Sequence, residues 1–453
     1  MNYLPHTESE RRAMLDTLGV SRMEELFADI PEHVRFPDLK LPLPPLPLSQ
    51  MELEAHLREL AGQDVNATSH ECFLGAGAYH HYIPATVDYV TGRGEFFTAY
   101  TPYQPEASQG MLQAMFEYQS MICQLTGMDV TNASHYDGAT ALAEAVRMAL
   151  NLASDGRQKV ILSPTVNSHY RETVQTYLLG SEASLIGEGA VPGEMGNLVA
   201  LLDDQVAALV IQNPNFLGQF EDVAGLAEKV HRAGALLIVV TDPIALGLFQ
   251  PPGAYGADVV VADGQPLGIP LSFGGPYLGI FATRMQYVRQ MPGRLVGETV
   301  DRSGRRGYVL TLAAREQHIR RARATSNICT NAGLIALAAA TYLATLGKSG
   351  LRRVAELCYH KSHYAAQQLA ERAGLAINPH KPDQPFFKEF SVQLPRPVEE
   401  VNRILLEDFG IIGGFDLGSC YFGFEQQMLI AVTEMKTKAA INRLVDALAK
   451  VTA

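Results

Sequence analysis

Four short segments carry side chains able to do chemistry together. Asp242 ends the apolar run IVVTD, and a carboxylate there could pair with a protonated ring nitrogen. HYDGAT, from His135 to Thr140, opens a helical pattern at Gly138 and Thr140. The free N–H groups and dipole of a helix start can hold a phosphate. His169, in the loop SPTVNSHYRET after the run KVILS, could stack on a flat ring. Gln265 stands between an apolar run and a Gly/Pro-rich loop in DVVVADGQPLGIPLSFGGPYLGIFAT, Asp258 to Thr283. A lysine in such a place would make the covalent bond to a carbonyl cofactor. Glutamine donates and accepts hydrogen bonds but cannot make that bond, and no lysine occurs between Lys229 and Lys348.

Each segment alone has an ordinary explanation. Asp-Gly before a helix is usually a cap, an Asp before Pro243 usually belongs to a turn, and His169 fits a surface position equally well. Occurring in this order around one sheet, they read as a pocket for pyridoxal phosphate (PLP) without its lysine. An independent PLP enzyme of the desulfurase or aminotransferase kind would need Lys229 or Lys348 at the sheet's edge. Lys229 falls inside a helix pattern, and Lys348 follows one. His80–His81 and His360/His363 lack a third and fourth ligand at supporting spacing, so no metal is expected. There is no GxSxG elbow, Walker loop or dinucleotide fingerprint. From Arg294 to Arg323, eight arginines accompany Glu298, Asp301 and Glu316. They are either interface ion pairs or an anion-facing surface suited to the arginine fork.

These groups need a scaffold, and the hydrophobic pattern supplies one. Strands are expected at Lys159–Leu162, Ala207–Gln212, Ala235–Thr241, Ala257–Ala262 and Leu278–Ala282, with helices at Met111–Leu125, Ala139–Leu152 and Asp222–Ala233. Buried apolar runs alternating with helices indicate an α/β fold around a mainly parallel sheet, whose ligands sit at the carboxyl ends of the strands. A small α+β domain follows. It comprises helices at Asn331–Leu346 and Leu351–Ala373, strands at Phe387–Leu394 and Met428–Thr433, and helices at Val398–Phe409 and Lys438–Val451. At the other end, Thr7 with Glu10, Ser21 with Glu24, and Ser49 with Glu52 have capping-box spacing. PDLKLPLPPLPLS reads as an extended strap, because its prolines bar helix and central strand. The expected divisions are 1–65 (arm and strap), 66–328 (large domain) and 329–453 (small domain).

At 453 residues, 47% hydrophobic and 19% charged, the chain is long enough for two domains and a large core. A net charge of −12 argues against nucleic-acid binding, which needs a basic footprint. The N-terminal residues lack an apolar signal core, and no uninterrupted run of about 18 apolar residues suggests a membrane span. Cys72, Cys123, Cys329, Cys358 and Cys420 are scattered without CxxC spacing. An odd, sparse set suits reduced thiols in the cytoplasm.

Two segments are more specific than any of these patterns. FFTAYTPYQPEASQG (Phe96–Gly110) and REQHIRRARATSNICTNAGL (Arg315–Leu334), with FLGAGAYHHYIPA before them and LIAVTE near the end, closely resemble the glycine decarboxylase P-protein of the glycine cleavage system. The similarity runs from Tyr3 to the last helix. In that family the protein is one long chain or two shorter subunits. This length and the missing lysine match the first, amino-terminal-half subunit. The resemblance implies the type I (aspartate aminotransferase-like) PLP transferase fold and an α2β2 heterotetramer in which the second subunit carries the PLP lysine. It also implies the reaction: glycine loses its carboxylate as carbon dioxide, and its aminomethyl group passes to the lipoyl arm of H-protein. Type I folds build active sites between subunits, so this chain would complete its partner's site. The candidates are Tyr100, Tyr103, Gln104 and Glu106 on a proline-stiffened loop, and Thr325, Ser326 and Asn327. These three resemble, in position, a loop that reaches a partner's cofactor phosphate; capping of the following helix is their alternative role. Gly138, Thr140, His169, Asp242 and Gln265 would be a degenerate site kept for packing.

Overall fold

The computed structural model describes residues 6–35, 48–153, 156–189 and 192–452. Met1–Val65 and Asn66–Ala453 are two separate compact units. In the first, helices Glu8–Leu18 and Gln50–Ala61 start with full capping boxes, Thr7 with Glu10 and Ser49 with Glu52. Ser21 departs from expectation. Its hydroxyl bonds Glu25, not Glu24, and a short 3-10 turn follows at Met23–Phe27. The proline strap lies, up to residue 47, outside the described residues.

The second unit is built on a seven-stranded sheet: β1 (Val130–Thr131), β2 (Lys159–Leu162), β3 (Ser184–Ile186), β4 (Val206–Gln212), β5 (Leu236–Thr241), β6 (Val259–Asp263) and β7 (Gly279–Thr283). The spatial order is β1-β7-β6-β5-β4-β2-β3. β3, β2, β4, β5 and β6 run parallel, while β7 is antiparallel to β6 and to β1. Successive side chains point to opposite faces, and both faces are buried. Leu209, Ile211, Leu237, Val239 and Val260 belong to one core. Ala208, Val210, Ile238, Val240, Val259 and Val261 belong to the other. Each such aliphatic side chain contributes about 1.5–3 kcal/mol on burial, which is why these runs read as continuously apolar.

Helices cover both faces. α1 (Gln109–Thr126) supplies Tyr118 and Ile122 to the first core. α2 (Gly138–Leu152) and α3 (Ser168–Leu178) pack into the second. The segment read as a loop around His169 is therefore helical: Asn167 Oδ1 accepts from His169 N–H at 3.0 Å and caps α3. The arginine-rich stretch also hides structure, an antiparallel hairpin of β8 (Leu295–Val300) and β9 (Arg306–Thr311). Leu295, Val296 and Tyr308 on it are buried, but neither strand alternates strictly between apolar and polar residues.

α4 (Gly333–Ala373) is two helical pieces meeting at Gly347, whose φ of +60° interrupts the run as glycine allows. It is long and apolar enough in composition to cross a membrane. However, Ala336, Ala339 and Tyr342 are buried in the sheet's core, which makes it a core helix. It leads into the three-stranded sheet β10 (Glu389–Gln393), β11 (Phe415–Asp416) and β12 (Gln427–Ala431). α5 (Val398–Phe409) and α6 (Lys438–Thr452) join that sheet's separate core.

Candidate functional site

The first cluster lies where β5 and β6 end. Asp242 follows β5 directly, and Asp263 is the last residue of β6, so strand register sets both carboxylates at the edge where ligands bind in such sheets. α2 opens beside them. Its N-cap Asp137 accepts from Thr140 N–H at 2.7 Å, and Thr140 Oγ1 accepts from Asp137 N–H in return. Thr140 is thus used in capping. Gly138 N–H instead donates to Asp263 Oδ2 at 3.0 Å. A Cβ at Gly138 would strike the Tyr170 hydroxyl and the Asp263 backbone, so only glycine lets these groups meet.

Gln265 is buried and fully engaged. Its Oε1 accepts from Tyr79 N–H at 2.9 Å, and its Nε2 donates to Tyr79 O at 2.9 Å and Ile269 O at 2.8 Å. This clamp sets Tyr79 against a side chain absent from the sequence-based reading: Lys388, which immediately precedes β10. The Lys388 ammonium is 3.5 Å from the Tyr79 ring centroid and 2.6 Å from Asp242 Oδ2. It also lies 3.2 Å from His81 Nε2. Only 2% of the Lys388 side chain and 14% of that of Asp242 is exposed. His81 Nδ1 donates to Glu434 at 2.6 Å, and Cys358 reaches the same carboxylate. His81, Cys358 and Glu434 converge as metal ligands would. The adjacent ammonium repels a cation, and their polar atoms already form a hydrogen-bonded chain.

His169 does not join this pocket. It is exposed at the start of α3, while its neighbours Asn167 and Tyr170 are lining residues. Lys229 and Lys348 are exposed as well. The side chains leave about 40 Å³ of free space, room for water-sized guests. PLP does not fit here. Gln265 cannot form a covalent bond to it, Asp242 is ion-paired with Lys388, and the opening of α2 already binds a carboxylate.

Electrostatics reinforce the closure. Burial pushes Asp263 up to about 7, against the pull of the Gly138 and Gln265 N–H groups. Burial, then the Lys388 ammonium, holds His81 below its ordinary value, so it is a neutral ring. Nearby His135, stacked on Phe281 at 5.1 Å, is driven down to about 3 by burial. A histidine depressed in the folded state stabilises the fold above its unfolded value, 6.5, and loses that contribution as pH falls through the window toward 3. The melting temperature is therefore expected to drop between about pH 6.5 and 4. His135→Phe should flatten this part of the profile in calorimetry. An unchanged slope would show that His135 does not set this part of the profile.

The second cluster centres on Arg294, which directly precedes β8 and is 5% exposed. Its Nη2 donates to Tyr103 OH at 2.8 Å and Cys329 O at 2.7 Å. Its Nη1 donates to Thr330 Oγ1 at 2.9 Å and Thr101 Oγ1 at 3.4 Å. Its Nε faces Glu316 at 3.5 Å. One planar guanidinium thus joins the two segments that carry the resemblance. Gln109 secures the first of them, since its side-chain amide bonds Pro105 O and both backbone groups of Tyr308 on β9. Tyr100, Tyr103, Gln104 and Glu106 are left exposed on this braced loop.

On the other segment, buried Ser326 accepts from Ile328 N–H at 3.0 Å and bonds Glu144, whose carboxyl burial pushes up. Thr325 is half-buried and Asn327 exposed. They do not cap a helix, because α4 begins at Gly333 with Ala332 at its N-cap. Arg294 itself was legible only as one of eight arginines. Of the others, Arg305 and Arg306 pair with Asp301 and Glu298.

Comparison with known proteins gives the family and the fold. The family model for the glycine cleavage system P-protein matches residues 1–448. A relative from Thermomicrobium roseum, "probable glycine dehydrogenase (decarboxylating) subunit 1", is 53% identical over all of both chains. One of the same name from Geobacillus kaustophilus is 51% identical over 98% of each. A crystal structure of glycine decarboxylase (P-protein) in inhibitor-bound form superposes with a TM-score of 0.86 at 46% identity, covering 100% of both chains. Lactobacillus brevis glutamate decarboxylase shares the fold alone, with a TM-score of 0.66 at 13% identity over 92% of this chain and 95% of that one. The fold is that of the type I PLP-dependent enzymes, and the chain belongs to the glycine cleavage system P-protein family.

Proposed function

We propose that this chain is the first subunit of a two-chain glycine dehydrogenase (decarboxylating), the one without the PLP lysine, and that it completes an active site whose PLP is held by the second subunit. The observation that carries this reading is the contrast between the two clusters. The chain's own pocket is closed, yet Arg294 holds the hydroxyl of Tyr103 and the Cys329–Thr330 backbone rigid beside exposed groups. Bound PLP supplies the electron sink for loss of the glycine carboxylate. Tyr100, Tyr103, Gln104 and Glu106 orient substrate across the interface, and a rigid loop does so at low entropic cost. Thr325 and Asn327 reach toward the cofactor phosphate, and buried Ser326, bonded to Ile328 N–H and Glu144, anchors the segment that carries them. The product aminomethyl group leaves on the lipoyl arm of H-protein. We assign the assembly as an α2β2 heterotetramer in the cytoplasm, the location from the sparse, unpaired thiols.

The test is reconstitution. Neither subunit alone should exchange labelled bicarbonate into glycine, and mixing them should produce exchange with the visible cofactor band. Activity or colour from this chain alone would overturn the division. Tyr103→Phe and Thr325→Ala should each lower turnover about tenfold, the order expected for one lost hydrogen bond to a charged partner. Unchanged turnover of intact complexes would reduce this chain to a scaffold.

A further inference from the structure

The pocket between β5, β6 and α2 is filled in a chemically specific way. Its two charged anchor points are both occupied by this chain's own side chains. At one end a buried ammonium, Lys388 Nζ, lies 2.6 Å from Asp242 Oδ2. That acid would otherwise meet a protonated ring nitrogen. At the other end, Asp263 Oδ2 accepts from Gly138 N–H at the opening of α2 and Oδ1 accepts from Gln265 N–H at 2.8 Å. There a carboxylate oxygen takes the hydrogen bond a phosphate oxygen would take. Between them, Tyr79 is clamped by Gln265, bonds Glu389 through its hydroxyl at 2.7 Å, and presents its ring to Lys388.

We propose that the pocket is closed to PLP by internal stand-ins, Lys388 for the cationic ring nitrogen and Asp263 for the phosphate, so that restoring a lysine at position 265 alone does not reopen it. Gln265 is then one part of a refitted cavity whose other parts lie on β6 and on the segment entering β10. Lys388 is not a displaced nucleophile, because an ammonium held by Asp242 and stacked on Tyr79 has no free electron pair to attack a carbonyl. The inference rests on the reading that the complex's cofactor belongs to the second subunit. It is tested on peptides of this chain, so the two can fail separately.

The complex is assembled with wild-type, Gln265→Lys, or Gln265→Lys/Lys388→Ala/Asp263→Ser forms of this chain. Each is incubated with PLP and reduced with borohydride, and pyridoxyl label at positions 265 and 388 is measured by mass spectrometry. The expected result is background label in the first two and about tenfold more at position 265 in the triple variant, the change that removing roughly 1.4 kcal/mol of exclusion produces. Label on Lys388 of the wild type, or equal label at 265 in the single and triple variants, overturns the proposal. So does an unlabelled triple variant that melts cooperatively. Should the triple variant not assemble, a simpler pair decides. Lys388→Ala must melt below wild type, and adding Asp242→Asn must recover most of the loss. Equal melting of Lys388→Ala and wild type overturns the proposal.

Discussion

Arg294→Lys is expected to lower turnover of the assembled two-subunit enzyme by about a hundredfold, the scale on which small misplacements of positioning groups act. The guanidinium serves Tyr103, Cys329 O and Thr330 at 2.7–2.9 Å. An ammonium offers three donors on a single atom and cannot span that fork. Losing it frees the loop that carries Tyr100, Tyr103, Gln104 and Glu106, and lets the Thr325–Asn327 segment drift from it. Arg294 is a positioning residue, so the loss should fall on kcat more than on KM for glycine, with subunit assembly retained by size-exclusion chromatography. A Tyr103→Phe background should blunt the effect, because the two residues act through one contact. A variant within about twofold of wild type, below the energy of one hydrogen bond, would show that the brace does not position the site.

Lys388→Met should destabilise the chain more than any substitution on its surface. Removing one member of a buried ion pair leaves the other charge uncompensated and costs about 3–5 kcal/mol. For a domain of this size that is a fall in melting temperature of about 4–6 °C. Pairing the change with Asp242→Asn removes both charges and should restore more than half of the fall. His81 sharpens the test. Protonating it would set a second cation 3.2 Å from the Lys388 ammonium, so the wild type should lose stability as pH drops below 6.5, the imidazole's ordinary value. Lys388→Met should lose less over the same interval. If Lys388→Met melts within about one degree of wild type, too little for a broken buried pair, the ion pair is not structural.

Much of the scaffold was legible because its signals are local. β2, β4 and β5 stand where apolar runs predicted them, and Val398–Phe409 has the predicted bounds, since burial on both faces leaves a direct trace in residue type. α3 was misread for an equally local reason. The Ser/Pro/Thr/Asn cluster before it looks like a loop, although Asn167 serves as a cap. The β8–β9 hairpin was missed because its strands, LVGETV and RGYVLT, lack a strict period-two alternation of apolar and polar residues. The segment FLGAGAYHHYIPA carries Tyr79 and His81, so the resemblance already contained two pocket residues. Nothing in its type separated Tyr79 from an ordinary core aromatic, and His81 was weighed only as a metal ligand.

By itself, the sequence determined the alternating α/β layers, the family, and the absence of a lysine after β6, each a matter of adjacent residues. Tertiary structure alone decided what fills the place that lysine would have served. Gln265 turns to Tyr79, Asp263 to Gly138, and Lys388 enters from a different sheet to neutralise Asp242. A buried charge must find an opposite charge wherever the fold brings one. That partner is chosen by proximity in space, which neither composition nor periodicity records.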